Sequence, residues 1–146
     1  PLRSERHVET LQMAVADGTI DAIQSGHMPR SREKKMNDLD LSPFGAATLE
    51  TTLATVNTFL IRNGVMTWPL AIERLSTAPA QIAGVTGGTL QTGMPADVVV
   101  IDPEKEWSVN GNQFHSLCNS SPLDGRTLTG QVRMTIVGGK VRFAIQ

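Results

Sequence analysis

The residues best suited to chemistry lie between Asp21 and Lys35, where a short apolar run opens into the polar stretch Gln24-Ser25-Gly26-His27-Met28-Pro29-Arg30. His27 is an imidazole able in principle to ligate a metal or move a proton. It has no second histidine at helical or strand spacing, so it reads as a hydrogen-bonded structural residue. Arg30 carries a planar fork of donors suited to a carboxylate. With Arg32, Glu33, Lys34 and Lys35 it forms a charged cluster that could close over an anion, although a solvated loop is the commoner explanation. His7 and His115 read as surface residues, and Asp21 as a structural hydrogen-bonding group at the opening of a strand. Cys118 is the only cysteine and reads as a small buried hydrophobe. It leaves no intrachain disulfide and no CxxC metal site, as fits a reducing cytoplasm.

Other chemistries lack their materials. Gly87-Gly88 and Gly138-Gly139 are turn glycines, because no GxGxxG opens a helix and no P-loop lysine follows. Ser42, Ser76 and Ser108 have no G-x-S-x-G context. The 146 residues carry 13 basic against 14 acidic side chains, a net charge of -1, with no long basic face for a polyanion. Two Trp, four Phe and no Tyr cannot build a stacking platform for single strands, so nucleic acid is excluded as a partner. No apolar stretch approaches the roughly 18 residues of a membrane span, and no signal segment opens the chain. The first residue is Pro1 rather than Met, as in a processed product or a fragment.

The elements that must position these residues follow from periodicity. Val8, Leu11, Ala14 and Val15 predict an amphipathic helix from Ser4 to Asp17, capped by Ser4 and ended by Gly18. Thr19 to Ile23 reads as a short strand, and 24 to 42 as a long connection of the kind that carries function or is disordered. Leu49, Leu53, Val56 and Leu60 predict a helix from Thr48 to Ile61 that stops at Asn63-Gly64. Thr67 can cap a second helix with Pro69 in its first turn, running to Leu75, and Thr77 a short third one to Gly84. Beyond Gly87 the pattern turns to strands: Ala96 to Ile101, then Val132, Met134 and Ile136, then a hairpin at Gly138-Gly139 into Lys140 to Ile145. A single strand followed by helices is not a closed layer, so the α/β half is expected to be incomplete by itself.

The order of these pieces is similar to that of the dihydroorotases. The resemblance rests on Pro1-Leu2-Arg3, the Asp17 to Asp21 sequence DGTID, His27 to Pro29, Ser42-Pro43-Phe44-Gly45 and Leu49-Glu50-Thr51. It continues through Leu75 to Ala80 (LSTAPA), Gly93 to Asp97 (GMPAD), Asn119 to Gly125 (NSSPLDG) and Thr135 to Lys140 (TIVGGK). It covers nearly the whole chain but only about the last third of a typical member. It implies an α/β fold: residues 1–86 as the last strand and helices of a (β/α)8 barrel, the TIM barrel, and residues 87–146 as a segment of a β-sandwich built from both chain ends. Asp97 then takes a structural place at a strand entry of that sandwich.

The resemblance also implies zinc that activates water and polarises a cyclic amide, with a carboxylate to move protons. The family's metal ligands lie upstream of this segment, so none is expected here. Its TDHAPH motif, which holds the proton-shuttling Asp and a substrate-binding His, aligns with Ser25 to Arg30. The Asp position is Gly26, so no catalytic residue is carried over, and Arg30 stands where the last His would be. The FG pair implies substrate-ring contacts from Phe44 and Gly45. Three readings follow: the C-terminal part of a dihydroorotase-type hydrolase, inactive without an N-terminal barrel portion; a non-catalytic scaffold assembling with aspartate transcarbamoylase; and an allantoinase- or hydantoinase-type ring amidohydrolase. A homo-oligomer is expected in each case.

Overall fold

The computed structural model describes residues 4–145. Pro1-Leu2-Arg3, part of the resemblance, lies outside the described residues. Helix α1 spans Glu5–Asp17 and ends at Gly18, whose φ of 89° is left-handed. Ser4 sits at the cap position, but its hydroxyl pairs with the His7 ring at 3.0 Å rather than with the helix backbone. Within the apolar stripe only Val15 is buried, while Val8 and Leu11 remain exposed.

The expected strand from Thr19 to Ile23 does not form. A central parallel strand is defined by neighbours that accept and donate along both edges, and among the described residues none flanks this segment. Its backbone is held instead at its two ends, by the Ile20 N–H on the Ala14 carbonyl and the Ile23 N–H on the Arg74 carbonyl, both at 2.9 Å. Asp21 is exposed and its side chain makes no hydrogen bond with a described residue, so the expected structural bond is absent. The connection after it contains a short helix, α2, at Arg32–Lys35.

The next helix, α3, covers residues 49–61 as one run: a 3-10 turn at Leu49–Thr51, an α-helical turn at Thr52–Val56 and a wide π-turn at Asn57–Ile61. The two helices expected between Thr67 and Gly84 are one, α4, over residues 68–83. Thr77 lies inside it with helical φ and ψ of -65° and -53°. Pro79 explains why the sequence looked like two helices. Its ring clashes with the carbonyl four residues back and it has no N–H. A π-turn at Glu73–Thr77 relieves that clash, with the Ala78 N–H reaching five residues back to Glu73. Gly84, with φ of 65°, ends the run.

Strands β1 (Val98–Ser108), β2 (Thr127–Val137) and β3 (Lys140–Ala144) form an antiparallel sheet in the order β1-β2-β3. The Gly138-Gly139 turn, with both φ values positive, matches the twist of a tight hairpin. The Asp97 carboxylate accepts from the Gly138 N–H at 2.7 Å, which ties the entry of β1 to that turn. The register of β1 on β2 shifts between Asp102 and Glu106, around Pro103, which has no N–H to give a ladder.

Helix α3 joins the two halves. Val56 packs with Val15, Met66 and Ala71 among the helices, and Ala54 packs with Val109 and Leu128 against the sheet. Cys118 is buried, as a small hydrophobe would be. Between these clusters lies a buried polar joint. The Asn57 amide donates to the carbonyls of Pro103 at 2.8 Å and Thr129 at 3.0 Å, and the Thr129 N–H donates to the Thr58 hydroxyl at 2.8 Å. Gly130 must be glycine here: its φ is 100° and a Cβ would meet the Asn57 amide nitrogen at 2.8 Å.

Candidate functional site

The stretch from Gly26 to Arg30 lies alongside residues 44–48. His27 and Ala46 form a parallel bridge, and the Met28 N–H donates to the Ala46 carbonyl at 3.0 Å. Gly45, with φ of 121°, lets the two segments approach, since a Cβ there would run into the Met28 carbonyl oxygen. Arg30 Nε donates to the Phe44 carbonyl at 3.1 Å, and Lys35 Nζ to the Pro43 carbonyl at 2.9 Å. Arg30, singled out in the sequence for a carboxylate, and Phe44 and Gly45, singled out as ring contacts, therefore meet. The ring of Phe44 is turned to solvent, with the residue 83% exposed. The Arg30 bond uses only Nε, leaving the two terminal nitrogens of the fork for another acceptor.

His27 has the structural role expected of it. Its Nδ1 accepts from the N–H groups of Thr48 at 3.1 Å and Leu49 at 3.2 Å, two of the donors that the start of α3 leaves unpaired. This requires the neutral ring with its proton on Nε2. Gly26, beside it, has φ of 62°, and the space its side chain would enter holds no atom within 4 Å. No described side chain replaces a carboxylate at that spot.

α3 and the sheet line an open cleft of about 750 Å³ that also takes in His27, with Glu50, Trp107, Phe114, His115 and Phe143 on its walls. Glu50, in the first turn of α3, holds the 115–116 segment in place. It accepts from the His115 N–H at 3.0 Å, the Ser116 N–H at 3.1 Å and His115 Nδ1 at 3.2 Å. Burial, the largest influence on Glu50, pushes its carboxyl up, but these donors together outweigh it and hold the group below its ordinary value. The His115 ring stands edge-on to Phe143 with centroids 6.0 Å apart.

The profile of the amidohydrolase family matches residues 2–142. The chain belongs to the amidohydrolase family. It is 60% identical over 145 residues to a Rhodopirellula baltica protein named "Putative dihydroorotase", a match that covers 99% of this chain and 32% of the relative. It is 40% identical over 141 residues to a dihydroorotase of Pelotomaculum thermopropionicum, covering 97% of this chain and 33% of that one. Among solved structures, the L-hydantoinase (dihydropyrimidinase) from Arthrobacter aurescens superposes with a TM-score of 0.91 at 32% identity, over 99% of this chain and 33% of that one. The chain thus spans about a third of the length of the relatives it matches.

This amidohydrolase segment does not by itself fit a zinc ion. Among the described residues no three His, Cys, Asp or Glu side chains are placed to hold a metal. His27 turns the lone pair of Nδ1 to the start of α3, which leaves its Nε2 protonated and without a lone pair for a metal.

The sequence reading missed Glu50, Asn57 and Gly130. Two of them left a trace. Asn57 is a polar residue beside Val56 in an otherwise apolar helix face, and Gly130 interrupts a strand, which often marks a close approach of another chain segment. Glu50 stood in the Leu49-Glu50-Thr51 piece of the resemblance but without a role, because its partners lie far along the chain.

Proposed function

We propose that this chain is the C-terminal part of a dihydroorotase-like amidohydrolase, supplying the last strand position and helices of a TIM barrel and part of a composite β-sandwich. In the complete protein the upstream portion would bring the zinc ligands and complete the barrel. The segment 19–23 would then gain the parallel neighbours it lacks here. Alone, this chain is inactive. The reaction class is reversible hydrolysis of the cyclic amide of dihydroorotate to carbamoyl aspartate, a step of pyrimidine synthesis in the cytoplasm. The observation that carries the reading is the meeting of Arg30 with the Phe44-Gly45 turn. It presents a cation with free donors and a glycine backbone where a ring bearing a carboxylate could lie.

Gly26 favours a second reading, that the complete protein is a non-catalytic scaffold assembling with aspartate transcarbamoylase. A glycine cannot exchange a proton, and no described side chain fills the space beside it. Likeness to a hydantoinase keeps a ring amidohydrolase of that branch as a third reading, with weaker support than the dihydroorotase relatives give.

The test is zinc-dependent hydrolysis of dihydroorotate by the complete gene product, with Gly26→Asp run in parallel. Aspartate is among the residues that best tolerate a left-handed backbone, so the variant is expected to fold. Turnover by the unmodified protein would sink the scaffold reading. Zinc bound without turnover, and activity gained in Gly26→Asp, would establish a degenerate hydrolase.

A further inference from the structure

We propose that His27 is a proton-gated clamp: neutral, it fastens the 26–30 turn to the start of α3, and protonated, it releases it. The geometry requires the first half of this statement. Both backbone donors, Thr48 N–H and Leu49 N–H, converge on Nδ1, so that nitrogen must carry a lone pair. An imidazolium has a proton on each nitrogen and no acceptor. It would also place a positive charge against the positive end of a helix. One protonation thus breaks two hydrogen bonds and adds a repulsion.

What the clamp holds makes it more than a helix cap. The next residue, Met28, is bonded to Ala46 and pressed against Gly45, and Arg30 follows on the Phe44 carbonyl. His27 therefore fixes the register of one segment carrying Arg30 against another carrying Phe44 and Gly45. It acts through these residues as a positioning residue.

The charged groups sharing the cleft with His27 are Glu50 on α3, His115 on the following segment and Arg142 on β3. Arg142 opposes an imidazolium at His27. Glu50 would favour one, but its carboxylate is committed to His115 and Ser116. The His115 ring is paired with Glu50 through Nδ1 at 3.2 Å.

The experiment is hydrogen exchange at Thr48 and Leu49 in the complete protein between about pH 7.5 and about pH 4.5, across the range in which histidine side chains take up a proton. Rates are corrected for the intrinsic effect of pH, and the variants His27→Asn, His27→Phe and Glu50→Gln are run beside it. The unmodified protein should lose protection at these amides by about tenfold or more on acidification. His27→Asn places a non-titrating oxygen near the position of Nδ1 and should stay protected at both pH values, while His27→Phe should be unprotected at both. Glu50→Gln should keep the step. Equal protection of the unmodified protein at both pH values overturns the clamp even if a variant fails to fold, as does a step in His27→Asn that matches the unmodified protein. The readout involves no ligand, so it stands apart from the proposed function. Binding of a carboxylate-bearing cyclic amide, followed in the same samples, tests that reading separately, and under it affinity should fall in step with the lost protection.

Discussion

Two glycines of the candidate site should respond very differently to an added methyl group. Gly45→Ala drives a Cβ into the Met28 carbonyl as well as straining φ, and should destabilise the complete protein by about 2–3 kcal/mol in denaturant unfolding. Gly26→Ala meets open space and bears only the left-handed penalty, roughly 1 kcal/mol. Glu50→Gln tests the electrostatics. The folded protein holds the Glu50 carboxyl below its ordinary value of 4.5, so the unfolded chain takes up its proton first as pH falls. Its stabilisation is therefore complete above that value and is lost as the pH drops through the lower folded value. Gln should cost about 1 kcal/mol at neutral pH and nothing in strong acid, as measured by the midpoint of urea unfolding at each pH. At this scale the sequence singled out Arg30, Phe44 and Gly45 through its resemblance to a family, and their substrate roles rest on that resemblance. Arg30, Phe44 and Gly45 belong to one connection, and a loop that returns on itself brings them together. Glu50 was illegible because periodicity says nothing about which distant backbone N–H groups will reach a carboxylate.

The joint between α3 and the sheet should be the least forgiving element contact. Asn57→Ala strands the Pro103 carbonyl and leaves that of Thr129 with only a long bond from the Thr58 hydroxyl at 3.4 Å, and should cost about 2–3 kcal/mol in chemical unfolding. Gly130→Ala should cost about as much through its clash with the Asn57 amide. Because that clash requires Asn57, the double variant should be less destabilised than the sum of the single ones. Helices α1 and α3 and the final hairpin were legible because each is specified locally, by apolar spacing, a terminal glycine or a glycine pair. The Thr19 to Ile23 strand was not, since a strand is defined by its partners. The division of α4 was misread for a different reason: Thr77 and Pro79 carry the local signature of a helix start, and only a π-turn lets the helix run through them.

For the whole molecule, the exposed apolar side chains of Val8, Leu11, Leu39, Leu41 and Val100 set an expectation about solution behaviour. The isolated 146-residue chain should bind a hydrophobic dye and self-associate, as exposed apolar surface does. The complete gene product should bind much less dye and form no large aggregates, as judged by dye fluorescence and light scattering, and equal dye binding by both would count against the proposed barrel context. The Asn57–Gly130 contact has a further consequence, for descent rather than for stability. It lies across the seam between the helical and the sheet-forming parts of the chain, so neither part can be exchanged freely between lineages. A recombinant that takes its sheet from a relative with a side chain at position 130 must also take a helix without the amide at position 57. The two halves are therefore coupled in one direction: related chains that keep the amide at position 57 should keep glycine at position 130.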